Sequence, residues 1–145
     1  MVTDAMGAAP FVWPVRVYWE DTDAGGIVFY ANYLKFFERG RTEWLRSLGV
    51  EQQRLRDETG GMFVVSGTEM QYHRPARLDD MLHITAAVRE LGKASMTLHQ
   101  EAWLTVGGQA TTRLCEGSIR IGWVDAEKMR PGRIPAPIIN ALQNA

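Results

Sequence analysis

The sequence is poor in cysteine and contains no long hydrophobic run. Among its 145 residues Cys115 is the single cysteine, so an internal disulfide is impossible and a reducing cytoplasm is the expected location. No stretch approaches the roughly 20 apolar residues that span a bilayer. The segment up to Pro14 also lacks the basic start and apolar run of an export signal. The sequence therefore predicts a cytoplasmic protein without a membrane span.

An excess of one charge sign is also missing. The chain has 16 Lys and Arg against 17 Asp and Glu, a formal charge of -1. It therefore lacks the basic surplus that binds a phosphate backbone, and nucleic acid is not an expected partner. The three histidines lie far apart, without the Cys, Asp or Glu spacing of a metal site, and the glycines form no nucleotide-binding loop. We expect neither a metal nor a bound cofactor.

What the sequence does contain is one helical pattern followed by a long alternating one. Apolar residues from Tyr30 to Leu48 follow one face of a helix, which Gly49 ends. Beyond Gly60 and Gly61 the pattern alternates as far as Val124, which is typical of strands with one buried face. We therefore predict one α+β domain over residues 1–145, in which a sheet covers the long helix.

Several local features are also predicted. The run Val15 to Trp19 indicates a first strand, and Gly107 with Gly108 indicates a tight hairpin. The apolar set of the last strand changes from even to odd positions, which predicts a bulge near Cys115 to Gly117. On the outer face of the helix, Glu38 is expected to pair with Arg41. A proline-rich tail precedes a short final helix.

The segment from Asp21 to Gly26 places a carboxylate in a turn directly before the helix. Backbone N–H groups at a helix N-terminus can bind an oxygen on which negative charge develops. Asp23 opposite such a carbonyl could attack it as a nucleophile or activate water as a general base, and both routes stay open. The alternative for Asp23 is a structural role in the turn or as a helix cap, which is the commoner role of an aspartate before a helix. This structural role is the one expected of Asp21.

The run from Asp21 to Tyr33 resembles the active-site signature of the 4-hydroxybenzoyl-CoA thioesterase family. Residues 13–18, 37–43 and 75–82 resemble its Tol-Pal-associated (YbgC-type) branch. The resemblance implies a hotdog fold, in which a long central helix is wrapped by a five-stranded antiparallel sheet. It implies hydrolysis of acyl-CoA thioesters in a homodimer or homotetramer with active sites at the dimer interface. Asp23 would be the catalytic carboxylate and the Tyr30 N–H would polarise the carbonyl.

The same resemblance indicates where a substrate would bind. Coenzyme A would be part of the substrate, with Lys93 as a phosphate contact and Ser95 beside it, while Gly26 belongs to the signature loop. Ser66 and Gly67 interrupt an apolar strand, which would leave room for substrate, although a plain strand kink explains them equally well. Many members of the branch carry a histidine where this chain has Tyr30. A mechanism that needs a histidine at this position is therefore not supported, and the acyl preference stays open.

Other functions were weighed against hydrolysis. Glu38 resembles the helix glutamate of other hotdog thioesterases, but the expected ion pair with Arg41 favours a structural role. A hotdog hydratase would need an Asp and His pair in a motif that this sequence lacks. The main alternative is a non-catalytic module that binds acyl-CoA or acyl carrier protein, and the latter is also a possible partner of an active enzyme.

Overall fold

The structure is a computed structural model that describes residues 9–143. Along the chain the elements are β1 (Phe11–Arg16), a 3-10 turn (Trp19–Asp21), α1 (Asn32–Ser47), α2 (Gln52–Thr59), β2 (Gly61–Tyr72), β3 (Met81–Leu91), β4 (Ser95–Val106), β5 (Gln109–Asp125) and α3 (Ala136–Gln143). The strands form one antiparallel sheet in the order β1-β3-β4-β5-β2, so β1 and β2 are its edges. The predicted α+β arrangement is confirmed.

Helix α1 packs closely on one face of this sheet. Phe37, Trp44 and Leu45 are buried on its inner side, as the helical pattern predicted, and Phe36 is buried as well. At Gly40 the backbone approaches the sheet so closely that a Cβ there would lie 2.7 Å from Ile84 Cγ2. Only glycine therefore fits at this crossing. The predicted end of the helix is also confirmed, since Gly49 follows Leu48 with a φ of +85°.

The alternating residues of the strands form the other side of the core. The even-numbered apolar residues of β3 and β4 are buried as predicted as far as Ala102, whereas Leu104 is half-buried and Val106 is exposed; the apolar residues Ile119, Ile121 and Trp123 of β5 are buried at odd positions. The apolar residues of the tail and α3 complete this cluster: Ile134, Ile138 and Leu142. The core thus lies between the sheet and α1, with α3 closing one end.

The predicted bulge is present one residue earlier than expected. Ala102 pairs with Cys115 and Trp103 pairs with Arg113, so Leu114 is the extra residue. The bulge allows two consecutive residues, Leu114 and Cys115, to be buried at 2% and 0% exposure. A second bulge lies at Ser66, between the pairs Val65–Ile121 and Gly67–Arg120.

The structure differs from the sequence analysis at three places. Strand β1 covers residues 11–16 rather than Val15 to Trp19, because a 3-10 turn begins at Trp19 and the Asp21 carboxylate accepts the Tyr18 N–H at 2.8 Å. Helix α2 was not anticipated, since it is polar and has no buried residue.

The third difference concerns Glu38 and Arg41, which form no ion pair. Arg41 Nη1 turns inward and donates to Gln100 Oε1 at 2.9 Å, while Glu38 accepts from Thr42. Tertiary packing overrides helix spacing here, because the buried amide of Gln100 needs a donor. No helix among residues 9–143 is long and apolar enough to cross a membrane.

Candidate active site

A short hairpin holds Asp23 in front of helix α1. Thr22 and Val28 form an antiparallel bridge, the Asp23 N–H donates to Ile27 O at 2.9 Å, and the Gly26 N–H donates to Asp23 O at 3.0 Å. Gly26 closes this turn with a φ of +76°, a conformation that favours glycine. The second arm is fixed because the Val28 N–H donates to Ala76 O at 2.9 Å. The loop is therefore tied into the fold on both sides.

The Asp23 carboxylate lies at the exposed tip of this hairpin. Its Oδ1 accepts the Gly25 N–H at 2.8 Å, which restricts the side chain to one orientation. A Cβ on Gly25 would lie 3.2 Å from the same oxygen, closer than ordinary van der Waals contact. An exposed carboxylate with one oxygen held by a backbone N–H keeps its second oxygen for chemistry.

Asp21 has the structural role that was expected of it. The residue is 3% exposed, and its carboxylate accepts the Tyr18 N–H. Its backbone oxygen accepts both the Phe29 N–H at 3.1 Å and Asn32 Nδ2 at 2.8 Å. Asp21 thereby joins the 3-10 turn, the hairpin and the first residue of α1. This arrangement sets where Asp23 lies relative to the helix.

Tyr30 lies immediately before the first turn of α1. The Asn32 N–H donates to Phe29 O at 2.8 Å and the Leu34 N–H donates to Ala31 O at 3.1 Å, so the helix is tightened at its start. Among the hydrogen bonds between residues 9 and 143, none has the Tyr30 N–H as donor. This N–H and the positive end of the helix dipole can bind a carbonyl oxygen.

A cleft of about 220 Å³ opens beside Tyr30, between the hairpin, α1 and the end of β2. Its aromatic wall consists of Tyr30, Tyr33 and Tyr72, with the Tyr30 and Tyr72 rings 5.8 Å apart and edge-on. The Tyr33 hydroxyl accepts the Ala76 N–H at 3.0 Å. Burial raises the pKa of Tyr33 and of Tyr72 above the ordinary value, so both phenols stay neutral. The cleft therefore suits an acyl group or the thiol arm of a thioester.

The other predicted substrate contacts lie on and beside the sheet. Arg120 on β5 joins two of them, because its Nη1 donates to Ser66 Oγ at 3.0 Å and its Nη2 donates to Ser95 Oγ at 3.1 Å. Gly67 is exposed and follows the bulge at Ser66. Lys93 lies in the turn before β4 and lines a separate cleft of about 700 Å³ with Arg133 and α3.

The predicted residues thus form two groups. Asp23 and Gly26 lie in the hairpin that precedes α1 and Tyr30 lies between this hairpin and the helix, whereas Ser66 and Ser95 meet on Arg120, and Lys93 lies in the turn before the strand of Ser95. Sequence reasoning missed Arg120, Tyr72 and His73, because only strand pairing places them near predicted residues. Among residues 9–143, no three His, Cys, Asp or Glu side chains are grouped as metal ligands.

Similarity to known proteins agrees with this geometry. The thioesterase superfamily model matches residues 25–111, beginning two residues after Asp23. The acyl-CoA thioester hydrolase YbgC of Escherichia coli O6:H1 is 41% identical over 134 residues, which is 92% of this chain and 96% of that protein.

Solved structures show the same fold. A probable thioesterase from Bartonella henselae is 33% identical with a TM-score of 0.76, covering 88% of this chain and all of that one. A mutant of 4-hydroxybenzoyl CoA thioesterase complexed with 4-hydroxybenzoyl CoA is 19% identical with a TM-score of 0.85, covering 93% and 99%. Because its identity is only 19%, this second structure shows only that the hotdog fold is shared.

Proposed function

The chain belongs to the thioesterase superfamily and is an acyl-CoA thioesterase, and from this premise we propose that Asp23 and the Tyr30 N–H carry out the hydrolysis. The observation that carries the proposal is the hairpin that orients the Asp23 carboxylate in the loop directly preceding α1. A carboxylate and an open helix N-terminus are the two groups that thioester hydrolysis needs: one to attack or to activate water, and one to stabilise the oxyanion.

In the proposed reaction the thioester carbonyl oxygen accepts the Tyr30 N–H. The dipole of α1, a helix of sixteen residues, stabilises the negative charge that develops on this oxygen. Asp23 then acts either as the nucleophile, forming a mixed anhydride that water opens, or as the base that takes a proton from water. The products are the free acid and coenzyme A, and no further cofactor takes part.

The substrate contacts are proposed at the second group of residues. Lys93, on the turn before β4, would bind a phosphate of coenzyme A, with Ser95 beside it. Ser66 and Gly67 on β2 would border the path of the thioester, and Gly26 would let the hairpin backbone approach it. The cationic side chains of Arg120 and Arg133 near Ser95 and Lys93 support an anionic ligand here.

We also propose that the chain works as a homodimer or homotetramer. Strand β2 is an edge strand of twelve residues, and one side of it has no partner strand within the sheet. Such an edge pairs readily with a second copy, because its free N–H and C=O groups need hydrogen-bond partners. Pairing along β2 would place Ser66 and Gly67 at the interface. Acyl carrier protein remains a possible partner, and the cytoplasm remains the proposed location.

Light scattering tests the assembly. The expected mass is twice or four times the 16.3 kDa of one chain at micromolar concentration. A purely monomeric protein under these conditions would contradict the proposal that β2 pairs with a second copy.

An Asp23→Asn variant tests the catalytic proposal. With a panel of acyl-CoA substrates and detection of the released thiol, we expect kcat to fall by roughly 100-fold or more, because the carboxylate can neither attack nor accept a proton. Circular dichroism and the oligomeric mass should not change, since the exposed side chain makes only the Gly25 contact.

The matched control is Asp57→Asn, which alters an exposed aspartate on α2 that contacts only Gln53. This variant should retain full activity. An Asp23→Asn enzyme with wild-type kcat would show that another group performs the reaction. In the wild type, single turnover in ¹⁸O-water that places label in the Asp23 carboxylate would identify the nucleophile route, with water attacking the aspartyl carbon of the anhydride.

A further inference from the structure

A histidine lies in the cleft beside Tyr30. His73 directly follows Tyr72, the last residue of β2, and lines the cleft together with Tyr30, Tyr33 and Tyr72. Its backbone is fixed, because the His73 N–H donates to Leu114 O at 2.8 Å. The side chain is 37% exposed and so is open to solvent and to a ligand. His83 and His99 lie inside β3 and β4 and do not line this cleft.

Two charged side chains hold the His73 ring in place. His73 Nε2 lies 2.8 Å from Glu116 Oε2, and Arg113 Nη2 binds the same carboxylate at 2.9 Å. Arg113 is itself anchored, since its Nη1 lies 3.2 Å from the buried carboxylate of Glu101. Glu116 thus orients the imidazole of His73, and Arg113 positions Glu116. Histidines that transfer protons are commonly held in this way.

The contact with Glu116 determines which ring nitrogen of His73 is available for proton transfer. A carboxylate accepts but does not donate, so the neutral His73 ring carries its proton on Nε2 and donates it to Glu116. Nδ1 then bears the lone pair and is the nitrogen that can accept and return a proton. Glu116 and Arg113 therefore position the ring without competing for Nδ1.

The departure of the thiolate is assisted by a proton, and in the nucleophile route neither Asp23, which has become part of the anhydride, nor the Tyr30 N–H supplies one. Resting on the proposed function, we propose that His73 is the acid that protonates this sulfur. As the carbon–sulfur bond breaks, the thiolate takes the proton from Nδ1 of the imidazolium and leaves as the thiol of coenzyme A. Neutral His73 then takes a proton from the water that releases the acyl group as the free acid. The imidazolium and the Asp23 carboxylate are thereby restored.

The leaving group tests this assignment. The thiolate of coenzyme A is more basic than that of thionitrobenzoate, so its departure gains more from a general acid, whereas the less basic aryl thiolate leaves readily unaided. For His73→Gln we expect kcat/KM to fall by about 100-fold on the acyl-CoA but by less than about 10-fold on the thionitrobenzoate ester of the same acyl group. Glutamine can still donate to Glu116, so folding should be kept.

Two further variants sharpen the test. Glu116→Gln removes the carboxylate that positions His73. Its kcat/KM should depend on the leaving group as that of His73→Gln does, but with a smaller loss on the acyl-CoA. Glu116→Asp keeps a carboxylate and should be more active than Glu116→Gln. The matched control, His83→Gln, changes a half-buried histidine of β3 and should leave both substrates unaffected.

Equal losses of His73→Gln on both substrates would show a structural role and overturn the assignment, and so would wild-type rates on both. Asp23→Asn, in contrast, should lose activity on both substrates alike. Retained activity in that variant would refute the proposed function of Asp23 independently of the result for His73.

Discussion

Gln100 and Glu101 are neighbours on β4, and both are almost fully buried, but they face opposite sides of the sheet. Gln100 points into the core under α1, where its Nε2 donates to Phe37 O and Thr85 O and its Oε1 accepts from Arg41. Burial lowers the pKa of Arg41, although the nearby Glu38 raises it in part. On this side a neutral amide carries the contact between helix and sheet.

On the other side of the sheet the polar group is a charge. Burial alone would raise the pKa of Glu101, but the nearby His99 and the hydrogen bonds from Trp103 and Arg113 outweigh it and lower the pKa to about 2. Arg113 also binds Glu116, which in turn contacts His73. The inner face thus uses a closed set of hydrogen bonds that fixes the helix, whereas the outer face uses an ionic network that reaches the candidate active site.

The largest expected effect is that of Gln100→Leu. The substitution keeps the volume but leaves two backbone carbonyls and the buried Arg41 guanidinium without their partner, which should cost about 4 kcal/mol of unfolding free energy. Urea unfolding followed by circular dichroism measures it. The control is Gln109→Leu, an exposed residue of β5, which should change stability little. A small loss for Gln100→Leu would mean that Arg41 finds another acceptor.

Glu101→Gln is expected to have a smaller effect that depends on pH. Because the folded pKa of about 2 lies below the ordinary 4.5, ionised Glu101 stabilises the fold fully above pH 4.5, and this contribution is lost as the pH falls towards 2. The difference in unfolding free energy between wild type and variant should be about 3 kcal/mol at neutral pH and should shrink in acid.

Urea titrations at several pH values measure this difference for Glu101→Gln. The exposed Glu90→Gln on β3 serves as the control and should show no such trend. A difference that does not depend on pH would show that Glu101 contributes through packing and not through its charge.

The smallest expected effect is that of Trp103→Phe. The substitution removes the Nε1 donor, which lies 3.3 Å from Glu101 Oε1, together with part of a half-buried ring, and should cost about 1 kcal/mol. Thermal unfolding measures this loss of stability. The control is Trp13→Phe, which alters a tryptophan on the edge strand β1. A loss as large as that of Glu101→Gln would place Trp103 at the centre of the outer-face network and not at its margin.

Much of this arrangement could be predicted from the sequence. The helix from Asn32, the alternating strands, the hairpin at Gly107 and the loop of Asp23 follow from local periodicity and turn chemistry, and the structure contains each of them. The shift of the buried face in β5 predicted a bulge, which lies at Leu114. The inward turn of Arg41 could not be predicted, because its partner Gln100 lies 59 residues away.

By itself, the sequence determined the elements and the local chemistry of the loop, because helix period, strand alternation and a glycine at positive φ depend on neighbouring residues. The tertiary structure alone decided which distant side chains meet. Pairing of β2, β4 and β5 brings Ser66, Ser95 and Arg120 together, and the end of β2 brings His73 to Tyr30 and Glu116. Strand register controls these contacts, and register is set by the packing of the whole core rather than by any one segment.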